Sequence, residues 1–253
     1  MKHSRLIVAA AFAAAALPAV AVPLASQAST GRAARSSGTP VTVRVEGIAS
    51  TLLAETAIDA KAASIDRDGK PADACTGDTA AVALQDATHG NWTAGPYSSG
   101  LGYPVIGIRG ESHPFTSAYY WSLWIDGKPA STGVCGATLH RGERLLFFPQ
   151  CSQESASSCP RGMFDPAVLQ LTGPASARVG KAITLKVSSL EDLTGKTSPG
   201  AGVKLSAAGH TITTGASGRA KLTFAKTGRY RIVASARDSV RDELIVTVGA
   251  RSG

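Results

Sequence analysis

The sequence predicts a mainly β protein with one short helix, in which an α+β domain is followed by a β-sandwich. Short strand patterns separated by turn residues recur along a chain of 253 residues that holds 27 Gly and 13 Pro. Helical spacing is found near residue 80. A hydrophobic content of 43% with 17% charged residues is typical of a folded chain rather than a disordered one.

The first 28 residues are predicted to be a secretory signal peptide. Lys2 and Arg5 give a positive start, and residues 6–17 form an apolar stretch that is too short to span a bilayer. Small residues ending at Ala28 form a cleavage site, and an uncleaved membrane anchor is the alternative. We expect a mature chain without a stable membrane span, either secreted or on the exterior of the cell envelope.

Two low-complexity stretches divide the rest of the chain. Residues 29–39 are small, polar and unpatterned, which predicts a flexible leader. Residues 151–166 start with a Ser-rich stretch between two cysteines and are predicted to be a disulfide-closed linker that ends near Pro166. The remaining segments are an α+β domain at 40–150 and a sandwich at 167–250.

The cysteines agree with export. Cys75, Cys135, Cys151 and Cys159 all follow the predicted cleavage point, and an even set in an oxidising compartment is normally paired. Four cysteines allow three connectivities. We favour Cys151 with Cys159, which closes a short polar loop, and Cys75 with Cys135, which ties distant parts of one domain. A zinc site is the alternative, but the C-x-x-C and C-x-x-H spacings are missing, so we predict no metal site.

The α+β domain opens with a strand and continues to the predicted helix. Residues 41–46 alternate apolar and polar side chains, as a half-buried strand does, and Gly47 ends the pattern. Asp78 or Thr79 can cap the helix that follows. Its apolar residues recur on one face, at Ala80, Ala83, Leu84 and Ala87.

A hairpin and a closing strand complete this domain. Residues 119–125 read as a strand, and Asp126-Gly127 after it indicates a two-residue hairpin turn because both positions need positive φ. Residues 141–143 form a turn before a closing strand at 145–148. The result is a mostly antiparallel sheet crossed by one helix.

The second domain is a run of short strands with turn residues between them. Seven strands at regular spacing predict a sandwich. They are residues 168–171, 183–187, 203–206, 210–214, 220–224, 230–234 and 244–248.

Several motifs of the first domain occur together in one known family. They are the opening V-T-V-R-V-E-G strand, Cys75-x-x-x-Thr79 before the helix, Asn91-Trp92, the hairpin Trp121-x-x-Trp124-Ile-Asp126-Gly127, and Leu139-x-x-Gly142-Glu143. With them, residues 41–148 resemble the transcobalamin C-terminal-like domain of exported bacterial proteins. The resemblance implies a β-grasp-like fold, a corrinoid-like ligand, and a separate helical-barrel or transporter partner, because transcobalamins hold cobalamin between such a domain and a barrel.

A second resemblance concerns the sandwich. Its motifs are Gly200-Ala-Gly-Val203, Thr213-Thr-Gly-Ala-Ser-Gly218 and Gly228-Arg-Tyr230. With these, the segment resembles a bacterial immunoglobulin-like surface domain, which implies a fold rather than a function.

Basic residues are concentrated in the second domain, where 13 Lys and Arg face 5 Asp and Glu over residues 168–253. Strand alternation directs Arg219 and Lys221 outward from one strand, and Arg229 and Arg231 outward from the next. If these strands form a hairpin, the four cations share one face and bind an anionic envelope polymer. The alternative is a solvated face, and nucleic acid is not expected as a partner.

Aromatic residues indicate a second candidate site. Tyr120 and Trp124 point to the face of their strand opposite Trp121 and its apolar neighbours. They are predicted to form a contact platform with Trp92, Tyr97 or Tyr103 that binds an unknown small molecule or glycan. Coverage of this face by the loop at 90–114 is the alternative.

Signals for catalysis are weak. The histidines after the signal peptide, at 89, 113, 140 and 210, are scattered and expected in loops or at the surface, and neither G-x-S-x-G nor H-E-x-x-H occurs. Asp66-Arg-Asp68-Gly69 matches only part of a calcium loop and is explained by a turn. We therefore predict a non-catalytic binding protein without a cofactor, and the alternative is a structural or adhesive cell-surface protein.

Overall fold

The structure is a computed structural model that describes residues 38–153, 155–191 and 194–250. The predicted signal peptide and residues 29–37 of the predicted leader lie outside the described residues. In the described part of the chain, no helix is long and apolar enough to cross a membrane.

The N-terminal half is built on a mixed five-stranded sheet with the order β2-β1-β10-β8-β9. The strands and the helix of this half are β1 (Thr39–Glu46), β2 (Thr51–Ala60), β3 (Ala63–Ile65), β4 (Cys75–Gly77), α1 (Ala80–Thr88), β5 (Trp92–Ala94), β6 (Val105–Ile108), β7 (Glu111–Ser112), β8 (Tyr119–Ile125), β9 (Lys128–Pro129) and β10 (Arg144–Cys151). The central pair β1 and β10 is parallel, and the other pairs are antiparallel. Strands β3 and β4 form one small sheet, and β5, β6 and β7 another.

The predicted helix and hairpin are both present. Helix α1 buries seven residues rather than one narrow face. Thr79 is its N-cap residue, but the Thr79 side chain makes no capping hydrogen bond. Asp126 and Gly127 have φ of 50° and 75°, as the two-residue turn requires.

The C-terminal half is a sandwich of two five-stranded sheets. Its strands are β11 (Ala167–Thr172), β12 (Ser176–Arg178), β13 (Ala182–Leu190), β14 (Thr197–Pro199), β15 (Lys204–Ala207), β16 (His210–Thr213), β17 (Arg219–Thr223), β18 (Gly228–Ser235), β19 (Ser239–Val240) and β20 (Asp242–Gly249). One sheet has the order β14-β13-β11-β19 with β17 on β13, and the other has β12-β20-β18-β15-β16. All seven predicted strands are present, and the predicted fold class is confirmed: the described residues are mainly β with one α-helix, and their C-terminal half is a β-sandwich.

An apolar cluster joins the two halves. Trp124 and Phe148 from the first sheet pack with Val168, Leu190 and Val240 from the sandwich. The Asp126-Gly127 turn docks on the sandwich as well, since a Cβ at Gly127 would lie 2.8 Å from Leu190 Cδ2. The two predicted disulfides are present, Cys75–Cys135 in the first half and Cys151–Cys159 at the junction.

A buried ion cluster reinforces this junction between β1 and β20. Arg44 Nη1 lies 2.7 Å from Asp242 Oδ1 and 3.5 Å from Glu46 Oε1, while Arg241 Nε lies 3.1 Å from Glu46 Oε2. Burial raises the pKa of both Glu46 and Asp242, although the neighbouring arginines oppose the change. The expectation that β1 is half-buried is therefore wrong at Arg44 and Glu46, which are buried among opposite charges instead of facing water, while Thr42 is only partly buried.

Candidate functional site

A groove of about 500 Å³ runs along β8 in the N-terminal half. None of its lining residues is charged, although charged residues make up 17% of the whole chain. Strand β8 forms the floor, and two loops form the walls. The lining residues are Leu101, Tyr103, Pro104, Val105, Tyr120, Trp121, Ser122, Leu123, Trp124, Pro129, Ala130, Ser131, Thr132, Gly133, Val134, Phe147 and Gln150.

The first wall is a tight turn that presents Leu101. The Ser98 N–H donates to the Gly102 carbonyl at 3.0 Å, and the Gly102 N–H donates back to the Ser98 carbonyl at 2.9 Å. Behind the turn, the Tyr103 N–H donates to Cys135 Sγ at 3.3 Å, and the Tyr103 hydroxyl donates to Asp68 at 2.8 Å. These bonds hold Leu101 at the tip with 64% of its surface exposed.

The second wall is fixed to the start of α1. The N–H groups of Ala80 and Ala81 donate to the carbonyls of Ala137 and Val134 at 2.9 and 3.0 Å, so a backbone loop occupies the position of a capping side chain. Gly133 lies so close to the first wall that a Cβ there would sit 2.1 Å from the Leu101 carbonyl oxygen. Only glycine allows the two walls to meet in this way.

Exposed large apolar side chains gather around this groove. Leu101 and Tyr120 line it directly and are 64% and 44% exposed. Tyr97, 37% exposed, packs edge-on against Tyr103 at 5.4 Å between ring centroids. Phe115, 72% exposed, lies against Gly95 beside Pro104, which lines the groove. These four are all the exposed large hydrophobic residues found in the described part of the chain.

The predicted platform of exposed aromatic residues is not formed as expected. Tyr97 and Tyr120 are exposed, whereas Trp92, Tyr103 and Trp124 are buried. Trp92 packs in the first core, where it accepts the Arg67 guanidinium on its ring at 4.0 Å. Trp124 is covered by the sandwich rather than by the loop at 90–114, because its face of β8 meets the second half of the molecule.

Leu101 and Phe115, the two most exposed apolar residues at this site, were not predicted from the sequence. Leu101 stands between Gly100 and Gly102 in a loop, and an isolated leucine between two glycines was the available signal. Phe115 carries no such signal because it follows a proline in an unpatterned stretch.

The predicted face of four cations is also not formed. Strand β17, with Arg219 and Lys221, pairs with β13, while β18, with Arg229 and Arg231, pairs with β15 and β20. The two strands therefore belong to different sheets, and the expected hairpin is wrong. Arg231 instead forms an ion pair with Glu243 on the neighbouring strand.

Asp66, Glu111 and His113 take part in local hydrogen bonds. Asp66 accepts hydrogen bonds from the N–H groups of Asp68, Gly69 and Lys70, so the predicted turn is present. His113 lies in a loop, as expected, but it is buried there, and its Nε2 lies 2.9 Å from Glu111 Oε1. Burial acts to raise the pKa of Glu111, but hydrogen bonds from His113 and the Ile48 N–H produce a net lowering.

Among the residues described, no cluster of His, Cys, Asp and Glu could hold a metal ion.

Comparisons with known proteins give only distant likenesses. No protein-family model matches the chain, and no curated protein matches it. A Ruminococcus gnavus ATCC 29149 protein, provisionally described as metal binding, is 14% identical with a TM-score of 0.31, over 46% of this chain and 99% of its own. The D00-D0 domain of Intimin is 15% identical with a TM-score of 0.22, over 64% of this chain and 79% of its own. Likeness at this level carries no inference about function.

Proposed function

We propose that this chain is a non-catalytic binding protein of the cell exterior whose ligand lies in the groove along β8. The supporting observation is that two of the four exposed large apolar side chains, Leu101 and Tyr120, line one uncharged groove, and the other two, Tyr97 and Phe115, lie beside residues of its lining. Contiguous apolar patches on a soluble surface mark interaction sites, whereas single exposed residues do not. Two disulfides support a location in an oxidising compartment.

The groove suits a ligand with an apolar surface and uncharged polar groups. Full burial of one leucine side chain is worth about 1.5 to 3 kcal/mol, so covering Leu101 and its neighbours can supply most of a micromolar affinity. Aromatic side chains at the rim can stack on a sugar ring or on a corrinoid. A corrinoid would also need the separate helical-barrel partner that the transcobalamin resemblance implies.

The test is calorimetric titration of the mature chain with cyanocobalamin, a chito-oligosaccharide series and a pool of uncharged hexapeptides. We expect saturable binding of one class, weakened at least about tenfold in Leu101→Asp because an apolar contact is replaced by a charge that must be desolvated. Ala201→Asp adds the same charge to an exposed turn of the sandwich and serves as the control. Equal affinities for both variants, or no binding by any class, would contradict the proposal.

A second role is attachment to an anionic envelope polymer through the sandwich. The supporting observation is the excess of 13 basic over 5 acidic residues at 168–253. Retention of the chain on an anionic cell-wall polymer should fall steeply between low and high salt, because exposed charges are screened. Retention that does not change with salt would contradict this role.

A further inference from the structure

The outer edge of β8 has main-chain groups that no strand pairs with. On its inner side β8 pairs with β10 along its whole length, from Tyr119 to Ile125. On its outer side the pairing with β9 covers only Trp124 and Ile125. Among the described residues, no other strand is hydrogen-bonded to the first half of β8, although β6 lies nearby in a separate sheet.

The alternation of an antiparallel ladder shows which groups face this open side. The Leu123 carbonyl accepts the Ala130 N–H at 2.9 Å, so the main-chain groups of Leu123 point away from β10. Groups two residues away along a strand point to the same side, so the Trp121 N–H and carbonyl also face outward. The groove lies along this edge, since its lining includes Tyr120 to Trp124 together with the loop after β9.

One side chain in the same lining has an unpartnered donor. The indole N–H of Trp121 is buried and finds no hydrogen-bond acceptor in the structure. Trp121 is 8% exposed. Buried N–H groups in folded proteins are nearly always paired, so this donor adds to the unpaired main-chain groups of the strand edge.

We propose that the occupant of the groove is an uncharged, extended polypeptide segment that adds to β8 as a further strand. This inference rests on the proposed function and names the ligand class. An extended peptide supplies a donor and an acceptor at every second residue, which matches the Trp121 N–H and carbonyl and the Leu123 N–H. Its alternate side chains would contact Leu101 and Tyr120 on the rim. The absence of charge from the lining excludes favourable pairing with a charged segment.

The length of the segment follows from the floor of the groove. The part of the floor that β9 leaves open, Tyr120 to Leu123, is four residues, or about 14 Å of strand at about 3.4 Å per residue. A hexapeptide therefore spans it with one residue to spare at each end.

The first experiment is an affinity selection on the mature chain with capped hexapeptides that carry Val, Ile, Tyr or Thr at alternate positions. The tightest peptide is then methylated at each backbone nitrogen in turn. Methylation at alternate positions should weaken binding at least tenfold, and methylation at the positions between them should change it less than threefold. Uniform tolerance of methylation would overturn strand addition. Binding of cyanocobalamin or a glycan without any peptide would overturn this inference and leave the proposed function standing, whereas no binding at all would remove both.

A second measurement follows amide hydrogen exchange at the outer edge of β8. The Trp121 amide should slow at least tenfold when the peptide is added, because its N–H gains an acceptor. The Tyr120 amide faces β10 and is the matched control, with no change expected. Unchanged exchange at Trp121 would overturn the proposal. Dimerisation of the chain through the same edge, detected by sedimentation without peptide, would assign the site to a second copy and overturn it as well.

Discussion

The junction between β1 and β20 and the groove along β8 deal with polar groups in opposite ways. At the junction, buried charges are matched: Arg44 meets Asp242, and Arg241 meets Glu46. At the groove, β9 leaves the first half of the β8 edge unpaired, the Trp121 indole N–H is unmatched, and apolar side chains are exposed. Because folding alone favours neither unpaired donors nor exposed leucine, the contrast distinguishes a region built for stability from one built to be covered by something else.

The largest expected effect comes from breaking the matched region. Arg44→Ala leaves Asp242 buried without its cation, which should lower the free energy of unfolding by about 3 to 5 kcal/mol. Urea denaturation of the protein measures the loss. Lys186→Ala, an exposed change in β13, is the control and should cost less than about 0.5 kcal/mol. A similar small loss for both variants would show that the ion cluster does not hold the junction.

The next effect concerns the two disulfides, whose loops differ in size. Cys75–Cys135 spans 60 residues and Cys151–Cys159 spans 8. Loop entropy predicts a loss of about 4 kcal/mol when the first pair is replaced by Ser and about 2.5 kcal/mol for the second. Only the first pair holds a groove wall, so only its loss should weaken ligand binding. Equal effects on binding would contradict the assignment of the walls.

A smaller effect is expected from pH, through the carboxyls of the junction. The folded-state pKa values of Glu46 and Asp242 are raised above their ordinary values of 4.5 and 3.8. The folded protein then holds more protons than the unfolded chain, so this contribution to stability is present at low pH and is lost as pH rises from those values through the raised ones. A tenfold difference in proton affinity between the folded and unfolded chain is worth about 1.4 kcal/mol. Thermal melts at a series of pH values compare the wild type with the double variant Glu46→Gln/Asp242→Asn. The melting temperature of the double variant should depend less on pH, and an identical pH dependence would contradict this role of the two carboxyls.

The smallest expected effect on stability is that of a substitution at the groove rim, which tests whether the groove, unlike the junction, contributes little to folding. Phe115 is 72% exposed, so Phe115→Ser should change the free energy of unfolding by less than about 0.5 kcal/mol. The same variant should weaken ligand binding severalfold, as measured by calorimetry. A large loss of stability would mean that Phe115 belongs to the core and not to the binding surface.

The local sequence pattern predicted the strands and turns well, but it did not predict what their side chains pack against. The strand at 119–125 and the turn at Asp126-Gly127 follow from residues next to each other in sequence. Alternation in β1 identified two faces but not what the polar face meets, because Arg241 and Asp242 lie nearly 200 residues away. The burial of Trp124 was not predicted for the same reason, because the sequence of β8 does not show that the sandwich covers this residue.

The error at β17 and β18 has a different origin. The two strands are separated by four residues, a spacing typical of a hairpin, yet the connection passes from one sheet of the sandwich to the other. A short connection occurs both in a hairpin within one sheet and in a crossing between two sheets. The placement of Arg219 and Arg229 on opposite sheets therefore depends on the topology of the whole sandwich.

The link between β1 and β20 also has a mechanical consequence. These are the first and last strands of the described residues, so tension applied at the two ends of the described part enters the fold through them. The Arg44–Asp242 contact joins them directly, at 2.7 Å, and lets force pass from one terminal strand to the other.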